Sequence, residues 1–238
     1  MAPPHRPLVL PRLHWYLPPS TELLVFDLDG TLVDSTLDLA NSVNATRVHM
    51  KLEPLPIPLV ASYVGNGAPV LIRKAMGADA SDEQIDYALT YFMSWYRDHM
   101  LEHTRPYPGV MEGLELCRQE GRKMAVLTNK PERFSKTLLA GLGMDKYFFQ
   151  VYGGNSFPEK KPNPLGLHKL MEEAGATPEH TWMVGDSSVD VLTARNAGVR
   201  CAGVTYGIQP ESLETYPPDL LLDSLAGLPA SLRPAVAS

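Results

Sequence analysis

The second half of the chain alternates short apolar runs with segments of helical spacing, and few folds accept that pattern. After Pro108–Gly109, "VMEGLELCRQE" reads as a helix with Gly121 as its stop. "KMAVL" has the length and character of a buried strand, and "TNKPERFSKTLLAGLG" follows as a helix, with Pro131 early and glycines late. The order then repeats: strand "YFFQVYGG", helix "NPLGLHKLMEEAG", strand "TWMVG", helix "SSVDVLTARNAG", strand "RCAGVTY", and a last edge strand in "PDLLLD". An earlier run, "TELLVF" (21–26), is also short, apolar and ended by polar residues. This alternation predicts an α/β fold, a parallel sheet covered by helices on both faces through right-handed crossovers. Such sheets bind ligands at the carboxyl ends of their strands.

Residues 35–106 break the alternation and read as wholly helical. Leu39, Val43 and Met50 share one face, and Ser81 with Gln84 forms a capping box. Beyond it Ile85, Leu89, Phe92 and Tyr96 recur on one stripe, which reads as core packing. The expected organisation is a core of 21–34 and 107–228 with an all-helical insertion, 35–106, placed as a lid with hinges at "DST" and "RPYPG". Residues 1–20 hold six prolines with Arg6 and Arg12 and no continuous apolar stretch, so they read as a proline-rich extension and not a signal peptide.

A chain of 238 residues with 44% hydrophobic and 20% charged content can bury such a core. Its net charge of -6 argues against a nucleic-acid partner. No apolar run approaches the roughly 18 residues of a membrane span. Cys117 falls in a helix pattern and Cys201 in a strand pattern, which predicts buried thiols in a reduced, cytoplasmic protein.

The polar residues gather at the predicted strand ends. The first strand ends in Asp27-Leu28-Asp29-Gly30-Thr31, the second in Thr128–Asn129–Lys130, and "TWMV" in Gly185–Asp186 with Asp190 four residues on; "EKKPNP" adds Lys160 and Lys161. Thr128 or Asp186 alone reads as a helix N-cap, and the lysines alone as a solvated loop. Two carboxylates as close as Asp27 and Asp29 are different, because buried like charges resist ionising together unless something offsets them. Three aspartates within reach suit Mg²⁺, a hard cation that takes few carboxylates plus a substrate phosphate. The cation would let a phosphate dianion approach a carboxylate nucleophile, while the second aspartate serves the leaving oxygen and then the attacking water. Thr128, nearby amides and a lysine would hold the equatorial oxygens.

These residues resemble the haloacid dehalogenase superfamily, specifically its phosphatases with an inserted helical cap on a Rossmann-like core. "DLDGT" matches the first motif, "LTNK" the second, "KKPNP" the third and "VGDSSVD" the fourth. The resemblance implies Asp27 as nucleophile and Asp29 as general acid/base with its main-chain oxygen on Mg²⁺. It also implies Thr128, Asn129 and Lys161 as phosphate contacts, Asp186 as a metal ligand and Asp190 as its support. Dehalogenases of the superfamily lack the second aspartate, so Asp29 points to phosphoryl chemistry. "DGTLVDS", "VGNGAPVLI" and "TYG" resemble the bacterial phosphoglycolate phosphatases, implying hydrolysis of 2-phosphoglycolate through an aspartyl-phosphate. The alternatives are a capped sugar-phosphate phosphatase, a phosphoglucomutase, or a non-catalytic binding protein on this fold. The expected partner is a small phosphorylated metabolite, and the expected assembly a monomer or homodimer. A carboxylate on the substrate calls for a donor from the lid, and Arg47, Arg73 and Lys74 are candidates by location. Gly65–Asn66–Gly67 reads as a helix-entry turn, although in related enzymes a cap loop closes over the site.

Overall fold

The computed structural model describes residues 23–232; the proline-rich extension lies outside them. Strand β1 (Leu23–Phe26) is buried on both faces, which is why it reads as an unbroken apolar run. After β1 come β2 (Val33–Asp34) and four helices: α1 (Thr36–His49), α2 (Ile57–Ala61), α3 (Ala68–Met76) and α4 (Asp82–His99). The chain returns through β3 (Arg105–Pro106) and α5 (Val110–Gln119) to β4 (Lys123–Leu127), α6 (Glu132–Gly141) and β5 (Gln150–Tyr152). The remainder includes α7 (Leu165–Ala174), β6 (Thr181–Gly185), α8 (Ser188–Ala197), β7 (Arg200–Val204) and β8 (Leu220–Leu222).

Six strands form one parallel sheet in the order β5-β4-β1-β6-β7-β8. The chain builds outward from β1 on one side and then returns to build on the other. The carboxyl ends of β4, β1 and β6 therefore meet where the winding reverses, the usual place for a ligand. Side chains of β1 alternate between layers. Leu24 and Phe26 pack with Val110 and Leu114 of α5 and with Phe134 and Leu138 of α6. Leu23 and Val25 pack with Leu167 and Leu170 of α7 and with Val191 and Ala194 of α8.

The inserted helices share the first of these apolar layers. Leu39 and Val43 are buried, as are Ile85, Phe92 and Tyr96, with Leu89 packed at the margin. The Ser81–Gln84 capping box starts α4, and Met50 sits just past the end of α1. Two features differ from the sequence reading. The run "YFFQVYGG" is a strand only over Gln150–Tyr152, because Asp145–Tyr147 forms a tight helical turn that carries Tyr147 into the core. The two crossings between core and insertion are not free loops: β2 and β3 pair antiparallel, Val33 opposite Pro106 and Asp34 opposite Arg105. No helix among the described residues is long and apolar enough to cross a membrane.

Candidate active site

The turn after β1 is fixed by its backbone. Thr31, Leu32 and Val33 donate their N–H groups to the Leu28 carbonyl at 3.3, 2.9 and 3.1 Å, and Gly30 donates to Val33 at 2.9 Å. Gly30 has φ +86°, and a Cβ there would overlap the Asp186 carboxylate. Glycine is thus needed both for the turn and for the approach of β6's acid to β1's.

Asp27, Asp186 and Asp190 are all buried, each with an oxygen within 4.8 Å of the others. One ammonium serves two of them: Lys161 Nζ lies 2.9 Å from Asp27 Oδ1 and 2.7 Å from Asp190 Oδ1. The other Asp190 oxygen accepts from the N–H and hydroxyl of Ser187 at 3.2 and 2.8 Å, which leaves that carboxylate fully engaged. Asp186 Oδ2 accepts from the Ile208 and Gln209 N–H groups at 2.8 and 3.1 Å. Burial, with Asp190 adding and Lys161 opposing, pushes Asp27 up to about 6. Burial, Asp190 and Asp27 together push Asp186 up to about 8. Three carboxylates around one cation leave a surplus of buried negative charge, and their hard oxygens fit a divalent metal ion. Asp27 and Asp186 retain the capacity to hold it.

The Asp29 carboxylate stands apart from that group. Both its oxygens lie 3.0 Å from Lys130 Nζ, and one accepts from Ser35 Oγ at 2.5 Å. Lys130 was not among the residues expected from the sequence to form the site. Burial alone would lower its pKa, but the Asp29 carboxylate holds it above the usual lysine range. The sequence places Lys130 at the second strand end, but its partner is 101 residues distant in the chain, so the pairing itself carries no local signal.

Thr128 is buried, and its hydroxyl accepts from the Lys130 N–H at 3.2 Å. The Asn129 amide donates to the Gly65 and Lys161 carbonyls at 2.9 and 3.1 Å, so it ties the lid to the third-motif loop; its Oδ1 is buried without a partner. Lys161 reaches the carboxylates, whereas Lys160 reaches the lid through the Asn66 carbonyl at 2.5 Å. Gln209 completes the clasp by donating to the Val64 carbonyl at 2.8 Å. The Gly65–Gly67 turn is therefore both the start of α3 and a wall of the site.

Between lid and core lies a pocket of about 40 Å³ that includes Asp27, Asp29, Thr128, Lys130, Phe92 and Tyr96 in its lining. The aromatic stripe of α4 thus packs the core and also faces the site, a second role that its spacing alone did not reveal. The three lid cations expected as candidates do not line it. Arg47 bonds to the Glu53 and Ala75 carbonyls, Arg73 pairs with Asp82 in solvent, and Lys74 lies over the Tyr63 ring.

Residues 24–204, which carry all four strand-end clusters, match the haloacid dehalogenase-like hydrolase family. The chain belongs to that family. The hydrolase is 41% identical over 220 residues to a protein called phosphoglycolate phosphatase from Pseudomonas putida, covering 90% of this chain and 80% of the relative. It is 38% identical over 221 residues to a protein of the same name from Neisseria meningitidis serogroup A, covering 90% and 94%. Among solved structures the hydrolase is similar to a predicted phosphoglycolate phosphatase from Haemophilus somnus 129pt. The TM-score is 0.85 at 33% identity, with 90% of this chain and 98% of that one covered.

Proposed function

We propose that this enzyme is a Mg²⁺-dependent phosphomonoesterase that hydrolyses 2-phosphoglycolate to glycolate and inorganic phosphate. The observation that carries the substrate is the roughly 40% identity, across nine-tenths of the chain, to proteins called phosphoglycolate phosphatase. The pocket supports it by bringing Asp27, Asp29 and Thr128 together with the Lys130 ammonium, groups suited to a phosphate ester that carries a second anionic group.

Asp27 would attack phosphorus with its carboxylate oxygen, forming the aspartyl O–P bond as the glycolate oxygen leaves. Asp29 would give that oxygen its proton, then take one from the water that cleaves the aspartyl-phosphate and frees Asp27. Lys161, the Thr128 hydroxyl and the Asn129 main chain would hold the equatorial oxygens, since the Asn129 side chain is already committed. Asp27, the Asp29 main-chain oxygen and Asp186 would hold Mg²⁺, with Asp190 positioning Lys161 behind them. The ion supplies neutralisation of the carboxylates and polarisation of the phosphate.

The test is phosphate release from 2-phosphoglycolate beside a panel of sugar and nucleoside phosphates, with Mg²⁺ and with EDTA. The expected result is metal-dependent turnover with kcat/KM of about 10⁴ M⁻¹s⁻¹ or more, well clear of the panel. A better ester within the panel would overturn the substrate and keep the chemistry.

A further inference from the structure

We propose that Lys130 and Tyr96 form the subsite for a second anionic group on the substrate, a carboxylate carried by the leaving group. This rests on the phosphoglycolate reading and deepens it. The leaving oxygen must sit at Asp29 if that residue is to protonate it. In phosphoglycolate the carboxylate carbon is two covalent bonds further on, roughly 2.5 Å away. Whatever receives the carboxylate must therefore lie directly beyond Asp29. What lies there is the Lys130 ammonium, in contact with both Asp29 oxygens at 3.0 Å.

Lys130 is the only cation among the described residues that line the pocket. Lys161 stands at Asp27 and Asp190, on the phosphate side, and the lid's Arg47 and Arg73 are engaged elsewhere. Tyr96 closes the far side: Lys130 Nζ lies 4.6 Å from its ring centroid, and its hydroxyl is buried without a hydrogen-bond partner. A buried hydroxyl left unpaired inside a pocket is a donor waiting for an acceptor. Burial pushes that phenol up to about 12, so it stays a donor at neutral pH. Thr128 and Asn129 stand on the phosphate side, and the wall facing them is apolar, with Leu39, Leu71, Phe92 and Phe134, so a carboxylate placed against that wall would be buried unpaired. The arrangement selects anionic leaving groups and rejects neutral ones of the same size.

The experiment compares 2-phosphoglycolate with 2-hydroxyethyl phosphate, which keeps the size and removes the charge, in wild type and in Lys130→Met, Lys130→Arg and Tyr96→Phe. Thermal melts establish that each variant is folded. The wild type is expected to favour 2-phosphoglycolate, and Lys130→Met to lower that preference in kcat/KM by about 100-fold, with Lys130→Arg recovering part of it. Tyr96→Phe is expected to lower the preference by about tenfold, through KM. Equal losses on both esters in Lys130→Met would overturn the subsite and leave Lys130 acting only on Asp29, with the substrate reading intact. A wild type that fails to prefer 2-phosphoglycolate would overturn the substrate reading and the subsite with it.

Discussion

Asp27 and Asp29 are two residues apart and meet different surroundings. Asp27 faces other acids and a shared lysine; Asp29 faces a lysine and a hydroxyl of its own. Asp27→Asn should lower turnover by on the order of 10⁴-fold or more while a thermal melt shows the fold retained; full activity in that variant would remove it as nucleophile. Asp29→Asn should cost far more on an alkyl phosphate than on nitrophenyl phosphate, whose leaving group needs no proton. Equal effects on the two esters would end its assignment as the acid. The acids, Thr128 and Lys161 were legible in the sequence because each sits where a predicted strand ends. Lys130 was placed at the same strand end as Thr128 but given no role, and Tyr96 was read as core packing, since neither carries a mark of its neighbours. Only the fold brings them together.

At the scale of elements, the two ends of the lid are tied to each other beside the core. Asp38, near the start of α1, is 1% exposed and accepts from the His103 and Thr104 N–H groups and the Thr104 hydroxyl, all at 2.8–3.0 Å. Burial opposes its ionisation, but those donors hold its pKa below the usual carboxylate range. Its contribution to stability is therefore present above the unfolded-state pKa and is lost as pH falls through the folded one. Asp38→Ala leaves two amide donors without their acceptor and should cost about 2–4 kcal/mol, read as a lower urea midpoint; an unchanged midpoint would mean the linker is held by other contacts. The helices and strands themselves were legible, because each is long enough for a period to show. The β2–β3 pair was not: two residues cannot display an alternation, and their pairing is decided by where the insertion begins and ends.

Across the whole molecule, the buried acids link metal, protons and stability. Asp27 and Asp186 are raised in the metal-free protein, to about 6 and about 8. A raised carboxylate binds its proton more tightly when folded, so that stability is fully present below the unfolded pKa and is lost as pH rises through the folded values. The chelated enzyme should therefore melt at progressively lower temperature between about pH 5 and pH 8.5, and the Tm gain on adding Mg²⁺ should be larger at pH 8.5 than at pH 5.5, because the metal displaces those protons. A chelated Tm that stays level across this range would show that the acids are not protonated there. The overall architecture was readable from the alternation of runs. The gathering of charge at the strand ends was readable too, but which lysine pairs with which acid was not, because that depends on side-chain distances set by the fold.

The β2–β3 ribbon has one more consequence. Asp34 and Arg105 face each other as a strand pair, so everything between them leaves and re-enters the core at a single rung. In chain topology the whole set of four helices is an elongated hairpin loop, and a tight two-residue turn could stand in its place without shifting the register of the sheet. Such an abridged chain would lose Leu39, Leu71, Phe92 and Tyr96 from the pocket's walls and uncover the apolar layer that those helices share with α5 and α6. The strand-end acids would stay with the sheet, and the lid's part of the pocket's apolar wall would leave as one piece.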